Sequence, residues 1–247
     1  MPSSNGIPDV SVVMPVFRTR GNVASSLEKI RAYIEAASHT VELILVDDGS
    51  SKNISEELFA FAAPREGVTL VQHEKNMGKG RAIADGVAAA TAPIVVFIDS
   101  EISYELSAID QMIARFHADP RLHFIVGSRR HPDSDIQRNF NVLRRCNSWI
   151  YNELARFLAG ESFTDVQCGI KGFRADVARL LFSDLIISRY AFDAELFLRA
   201  KKFNLTFEEI PVVYRNTSRA TLSMIPRTAR MLVDLRKLYG AYKKTSQ

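Results

Sequence analysis

Ile94-Val95-Val96-Phe97-Ile98-Asp99-Ser100-Glu101 is the stretch on which the reading of the fold turns. The run Ile94–Ile98 is apolar at every position and then stops abruptly on an aspartate. A strand that is apolar on both sides cannot keep one face in water, so it belongs in a sheet covered on both faces. Largely apolar strand-length runs recur outward from it, in Val10–Val16, in Val41–Val46 ended by Asp47-Asp48-Gly49-Ser50, in Val68–Gln72 and in Leu122–Val126. Helical spacing fills the intervals. Asn22 is placed to cap a helix carrying Val23, Leu27, Ile30 and Ile34, and further helices are expected at Glu56–Ala62, Gly80–Ala89 and Leu106–Phe116. Alternating strands and helices predict an α/β fold, a mostly parallel sheet with helices on both faces. Ligands of such sheets bind beyond the carboxyl ends of the strands. The loops to search are therefore Arg18–Gly21, Asp47–Ser50, Asn76–Gly80, Asp99–Ser103 and Gly127–Arg130.

Beyond Gly127 the alternation loosens. Val142–Leu158 reads as a long amphipathic helix, Asp165–Phe173 as extended and glycine-punctuated, Phe192–Lys202 as a helix, Phe207–Val213 as a strand and Met224–Tyr242 as a terminal helix rich in Lys and Arg. No repeat or linker divides the 247 residues, so one domain over residues 8–240 is expected, the second half completing a site begun in the first. The composition, 47% apolar and 24% charged, excludes a disordered or low-complexity chain. A net charge of +4 is too small to argue for nucleic acid, and none is expected as a partner. Cys146 and Cys168 form no disulfide scaffold or metal-ligand spacing, which suits a reducing compartment. No signal peptide is visible, and no apolar run approaches the ~18–20 residues that span a bilayer.

Three segments carry candidate chemistry. Asp99 and Glu101, two apart at a strand end, are expected to point the same way and to share one hard cation, Mg2+ or Mn2+, completed by diphosphate oxygens and water. A solvated acidic turn would read the same way. Val46–Ser50 offers Asp48 to a nucleobase or ribose, although a turn with an Asx cap has the same pattern. In Asn76-Met77-Gly78-Lys79-Gly80-Arg81 the glycines permit close backbone approach before a helix N-terminus, leaving Lys79 and Arg81 free to meet phosphate. This segment matches neither the phosphate-binding loop of nucleoside triphosphatases nor the dinucleotide-binding glycine fingerprint.

The combination is more specific than its parts. Pro15–Phe17, Val46–Ser50, Asn76–Ile83, Ile98–Glu101 and Gly127–Arg129, in this order and at these strand ends, resemble the family 2 glycosyltransferases of GT-A fold. Asp165–Phe173, Phe192–Ala200 and Glu209–Val212 are similar to the corresponding segments of the polyprenyl-phosphate sugar synthases, the dolichyl-phosphate mannose and glucose synthase group. The resemblance implies an inverting, metal-dependent transfer of a hexose from a UDP- or GDP-linked donor to a polyprenyl phosphate. It implies a donor half over residues 8–130, an acceptor half over 131–224 and a basic helix and tail over 225–247. Pro15, Phe17, Val46 and Asp48 would line the base and ribose, and Asp99, Ser100 and Glu101 the diphosphate and its metal. Lys79, Arg215 and Arg219 would also contact the donor, and Arg129, Arg144 and Arg145 the acceptor phosphate. This chain departs from the family pattern at Thr19, at Glu101 and at Ser103. The last, with the second-half segments, points to the glucose branch and a UDP-sugar.

A lipid phosphate is already ionised and needs cations rather than a base. A hydroxyl acceptor would instead require a carboxylate base, for which Asp193 and Glu195 stand ready, although both also open a helix whose dipole favours acids. Asp193 is otherwise expected to orient a basic residue or a sugar hydroxyl. The alternatives are thus a family 2 transferase acting on a hydroxyl, and a nucleotide-sugar-binding subunit without turnover. Arg227, Arg230, Arg236, Lys237, Lys243 and Lys244, interleaved with Met231, Leu232, Val233, Leu235 and Leu238, form a basic amphipathic pattern. It fits either a packed terminal helix with a solvated basic face or a membrane-surface contact, and the latter gives the expectation of a peripheral enzyme at the cytoplasmic membrane surface, docking alone or through a membrane-anchored partner.

Overall fold

The structure is a computed structural model that describes residues 6–17, 23–138, 152–153, 155–156, 163–216, 231, 233–238 and 240–242. The chain order is β1 (Val10–Val16), α1 (Val23–Ala36), β2 (Val41–Asp47), α2 (Lys52–Ala62), β3 (Val68–Gln72), α3 (Lys79–Ala89), β4 (Ile94–Ile98), α4 (Ser107–Ala118), β5 (Phe124–Ser128) and β6 (Asp135–Arg138). It continues with β7 (Ile170–Arg174), α5 (Ala175–Phe182), α6 (Phe192–Lys202), β8 (Phe207–Pro211) and β9 (Val213–Asn216). Seven strands form one sheet in the order β3-β2-β1-β4-β7-β5-β8, and β6 pairs with β9 beside it. Every residue of β1, β4 and β5 is buried. Successive strand residues face opposite sides, so unbroken burial means that both faces are covered.

All of the large sheet runs one way except β7, which is antiparallel to both β4 and β5. The consequence is positional. The carboxyl ends of β1, β2, β3, β4 and β5 meet on one edge, and the amino end of the reversed β7 joins them there. The core beneath is aromatic: Phe97 stacks on Phe173, and Phe173 on Phe124.

Several expected boundaries shift. The strand placed at Leu122–Val126 runs Phe124–Ser128, so Gly127 and Ser128 are sheet rather than loop. The glycine permits this: a Cβ there would lie 2.7 Å from both Ile170 and Val212 side-chain atoms. Within Asp165–Phe173 only Ile170–Phe173 is strand. Phe207–Val213 breaks at Val212 into β8 and β9, which belong to different sheets. Helix α5 and strand β6 lie where no element was expected. Of the two long helices expected in the second half, only 152–153, 155–156, 231, 233–238 and 240–242 are described, and these are helical. In the last of them Leu235 and Leu238 are buried and Val233 is exposed. Among the described residues no helix is long and apolar enough to cross a membrane.

Candidate active site

The site gathers at that carboxyl edge. Strand β4 ends at Ile98, and the chain turns at once, Ile102 N donating to Asp99 O at 3.0 Å. The chain therefore does not run on extended past Ile98, the geometry from which Asp99 and Glu101 were expected to point to one side; Glu101 lies exposed within the turn. Ile102 leaves the turn at φ 36, outside the ordinary right-handed and extended regions.

Asp99 is held by the reversed strand. The β4–β7 register sets Ile98 opposite Ile170, and Asp99 N donates to Gly169 O at 3.0 Å. Gly169 N in turn donates to the buried Tyr104 hydroxyl at 3.0 Å. An added Cβ at Gly169 would stand 2.5 Å from Asp99 Cγ, so only glycine leaves room for this carboxylate. Lys79 Nζ approaches Asp99 Oδ1 to 2.6 Å. That oxygen is nonetheless buried without a properly directed hydrogen bond. An anionic oxygen that is electrostatically paired but poorly bonded suits a cation ligand. Among the described residues no three His, Cys, Asp or Glu side chains cluster as a metal cage. A metal here would therefore take one or two carboxylates from the chain and the rest of its ligands from substrate and water, as Mg2+ and Mn2+ sites do.

Lys79 is delivered by the loop before α3, which is clamped from two sides. On one side stands Asp48, buried at the end of β2. Its Oδ1 accepts from Met77 N at 2.7 Å and lies 2.9 Å from His73 Nδ1. Its Oδ2 accepts from Asn76 Nδ2 at 2.6 Å and from Gly78 N at 3.0 Å. Three assigned donors and a His73 contact converge on this one carboxylate. In this arrangement Asp48 organises Asn76–Gly78. On the other side stands Glu195, whose two oxygens accept from Ile186 N at 2.9 Å and Ile187 N at 2.8 Å. The loop thus held supplies Ser188 O, which accepts from Arg81 N at 3.1 Å. Gly78 has φ 103, and a Cβ there would lie 2.5 Å from Ser188 O. Burial pushes the Glu195 carboxyl upward against the pull of its two amides.

Neither cation of this loop is free to meet phosphate in this arrangement. Lys79 is on Asp99, and Arg81 Nε donates to Asp85 Oδ2 at 2.8 Å. Burial would lower the Lys79 pKa, but Asp99 and then Asp193 outweigh it and raise it.

Asp193 faces Lys171, which is 1% exposed and projects from β7. Lys171 Nζ donates to Asp193 Oδ1 at 2.6 Å and to Cys168 O at 2.7 Å. Asp193 thus orients a basic residue, one of the two tasks weighed for it. Burial raises its pKa, with Lys171 and Lys79 opposing.

Arg129 follows β5, and Asp165 grips it bidentately, accepting from Nε at 2.6 Å and Nη2 at 2.8 Å, and from the Arg129 backbone N at 3.0 Å. Burial alone would raise the Asp165 carboxyl; the guanidinium outweighs it and holds it below its usual value. Asp165 is itself held in place by Glu209, which accepts from Thr164 N at 2.7 Å, and by Asn152, which donates to Thr164 O at 3.0 Å and accepts from Val166 N at 3.0 Å. Cys168 is buried, and burial pushes its thiol up to about 12, so it is no nucleophile.

The remaining expected residues separate. Phe17 is half-buried beyond β1, Pro15 is buried within it, and Ser100 is half-buried in the turn after β4. Val46 is fully enclosed, with Gly86 packed against it, so it supports the sheet and does not line a pocket. Arg215 is exposed and paired to Asp135 Oδ2 at 2.6 Å, on the strand pair beside Tyr104 and Tyr214. Arg144, Arg145 and Arg219 lie outside the described residues. Sequence reasoning did not single out His73, Tyr104, Asn152 or Gly169. For Gly169 a signal existed, a second glycine within CGIKG, but its reason lies on β4, distant in sequence.

Comparison with known proteins agrees with this arrangement. The family model described as Glycosyl transferase family 2 matches residues 11–182. A dolichyl-phosphate beta-glucosyltransferase of Trichomonas vaginalis is 25% identical over 231 residues, covering 90% of this chain and 68% of that one. The dolichyl-phosphate beta-glucosyltransferase of Homo sapiens is 25% identical over 250 residues, covering 95% and 77%. Among solved structures, glucosyl-3-phosphoglycerate synthase of Mycobacterium tuberculosis superposes with a TM-score of 0.67 at 19% identity, covering 92% of this chain and 80% of that one. The same enzyme in complex with Mn2+, uridine diphosphate and glucosyl-3-phosphoglycerate gives 0.64 at 17% identity, covering 92% and 80%. The shared fold is the GT-A arrangement expected from the strand-end motifs. With that fold in place and the family model matched across most of it, the chain belongs to glycosyl transferase family 2 and is a glycosyltransferase.

Proposed function

We propose that this transferase moves a hexose, glucose from a UDP-linked donor, onto a polyprenyl phosphate with inversion at the anomeric carbon. The observation that carries the acceptor class is the commitment of the second-half acids. Asp193 is bonded to Lys171, Glu195 to two backbone amides and Asp165 to Arg129. A hydroxyl acceptor needs a carboxylate free to take its proton, and these three already have partners. A phosphate monoester needs none, because its oxygen is already an anion. The dolichyl-phosphate glucosyltransferases among the relatives support the same acceptor and the glucosyl group.

In this reading Asp99 and Glu101 hold a Mg2+ or Mn2+ ion, which would neutralise charge on the leaving nucleoside diphosphate. Pro15, Phe17 and the clamped loop 76–80 form the donor side over residues 8–130. Arg129, set by Asp165 at the end of β5, offers its remaining guanidinium face to the acceptor phosphate, with Arg144 or Arg145 as the second cation. Attack by the phosphate oxygen from the side opposite the leaving diphosphate inverts the configuration. The enzyme docks peripherally on the cytoplasmic membrane face through the basic residues of 225–247.

The test is nucleoside diphosphate release from a panel of UDP- and GDP-sugars, with Mg2+ or Mn2+, over anionic vesicles with and without a short polyprenyl phosphate. Release confined to UDP-glucose and to vesicles carrying the lipid phosphate is expected, with protein floating with the vesicles at low salt. Equal release without the lipid, restored by soluble hydroxyl acceptors, would refute the acceptor assignment. Tight donor binding without turnover under every condition would instead mark a binding subunit.

A further inference from the structure

Lys79 with Asp99 and Lys171 with Asp193 make two neighbouring ion pairs around Phe97. Lys79 Nζ is 2.6 Å from Asp99, and Lys171 Nζ is 2.6 Å from Asp193. Both ammonium groups also lie against Phe97, at 5.8 Å and 5.2 Å from its ring centre. Lys79 is further 5.5 Å from the ring of Phe192, the chain neighbour of Asp193. The two pairs sum to zero, two acids and two lysines, so they are balanced with no ligand present.

A divalent ion alone would unbalance them by two charges. An ion arriving with a diphosphate would not. The contact that must yield is Lys79 on Asp99, the close pair that leaves Asp99 Oδ1 without a directed hydrogen bond. Lys171, in contrast, is fixed by two directed bonds, to Asp193 and to Cys168 O. A lysine ammonium on a four-carbon stem can swing where a rigid guanidinium would not. A second carboxylate on the same side is Asp193: Lys79 Nζ lies 5.5 Å from the ring of Phe192, the residue before it, and shares the Phe97 ring with Lys171, the partner of Asp193.

We propose that Lys79 holds the place of the divalent cation on Asp99 and transfers to Asp193 when the ion enters with the donor diphosphate, so that metal binding is conditional on the nucleotide. This rests on the assignment of Asp99 as a metal ligand made above. Lys79 is then a positioning residue whose ammonium serves as the resting counter-ion of the site. Its effect is a coupling between metal and nucleotide, and coupling is reciprocal.

The experiment follows free Mn2+ by electron paramagnetic resonance during titration into the wild type, Lys79→Met, Asp193→Asn and the double variant, each without and with UDP. Wild type should bind Mn2+ weakly until UDP is added. Lys79→Met should tighten Mn2+ alone by roughly tenfold, the scale of one ion pair removed from competition, and should shrink the enhancement by UDP by about the same factor. Asp193→Asn should loosen Mn2+ severalfold in the presence of Lys79 and leave it unchanged in the Lys79→Met background, because the receiving group then has nothing to receive. Asp193→Asn strands the buried Lys171; where circular dichroism shows that it fails to fold, Lys171→Met/Asp193→Asn replaces it in the cycle. Lys79→Met with unchanged Mn2+ affinity overturns the proposal, and so does an Asp193 effect of equal size in both backgrounds, which would be plain long-range charge. Unchanged Mn2+ affinity with weakened UDP would make Lys79 a phosphate ligand instead. Wild type that binds no Mn2+ even with saturating UDP would remove the metal assignment itself, and this inference with it.

Discussion

Gly169→Ala tests the way the two halves of the chain meet at Asp99. The glycine sits at the amino end of β7, next to β4, and its φ is not in the left-handed region, so alanine meets no backbone strain there. What it meets is the carboxylate: the new Cβ would stand 2.5 Å from Asp99 Cγ, roughly 0.9 Å inside the 3.4 Å where ordinary contact begins. Two responses are open. The Asp99 side chain can rotate away, or β7 can slide. The β4–β7–β5 pairing is continuous through Phe97, Lys171 and Val126, so the side chain should move first. A displacement near 1 Å at a group that must meet substrate costs on the order of 100-fold in rate, whereas overpacking of this kind costs about 1–3 kcal/mol in stability. Gly169→Ala should therefore fold, melt a few degrees lower, bind Mn2+ with UDP more weakly and lose about two orders of magnitude in kcat. Gly172→Ala is the control on the same strand. Its Cβ would meet Met112 Sδ at 2.9 Å, in a flexible side chain, with Asp99 not among its nearest neighbours, so it should cost stability alone. Thermal melts, Mn2+ titration and nucleoside diphosphate release on the two variants decide the matter. A Gly169→Ala enzyme with wild-type kcat and Mn2+ affinity would refute the claim that this glycine makes room for a working carboxylate.

Two further outcomes follow from the held acids. The Asp165 carboxyl is depressed in the fold, so its contribution is present above its ordinary value of 3.8 and is lost as pH falls through the lower folded value. Asp165→Asn should cost about 2–3 kcal/mol at pH 7, less than a fully buried pair because the Arg129 side chain keeps 17% of its surface exposed, and the gap in Tm from wild type should close below pH 3.8; a gap that stays constant across that range would refute the pairing. Glu195→Ala should leave the Ile186 and Ile187 amides without an acceptor at a cost of about 3 kcal/mol in urea unfolding. It should also speed hydrogen exchange at Arg81, whose amide depends on Ser188 O; unchanged exchange there would show that the clamp does not reach the donor loop.

The local pattern of the sequence determined the first half of this protein. Strand β4 carries its own evidence, because five consecutive apolar residues between turn signals fit a doubly covered strand, and shorter apolar runs at Val12–Val16 and Leu43–Val46 mark β1 and β2. Boundaries moved where tertiary contact overrode local preference, as at Gly127 and Ser128, which pair with Ile210 and Pro211 and so remain in the sheet. The gathering of Asp48, Asn76–Lys79, Asp99 and Arg129 at one edge was legible as well, since all of them end or follow parallel strands, and parallel strands deliver their ends to one edge. What each of these groups does there was not legible. A carboxylate has the same spelling whether it binds a ligand, caps a loop or neutralises a lysine, and the choice is made by partners far along the chain. Asp48 was set to loop-holding by amides of residues 77 and 78, Asp193 to charge pairing by Lys171, and Asp99 to its rotamer by Gly169. The reversed strand β7 brings the last two into place, and its direction depends on backbone hydrogen bonding to two neighbours at once. Sequence periodicity reports which side chains are buried, but it carries no sign for strand direction; only the assembled sheet supplies that.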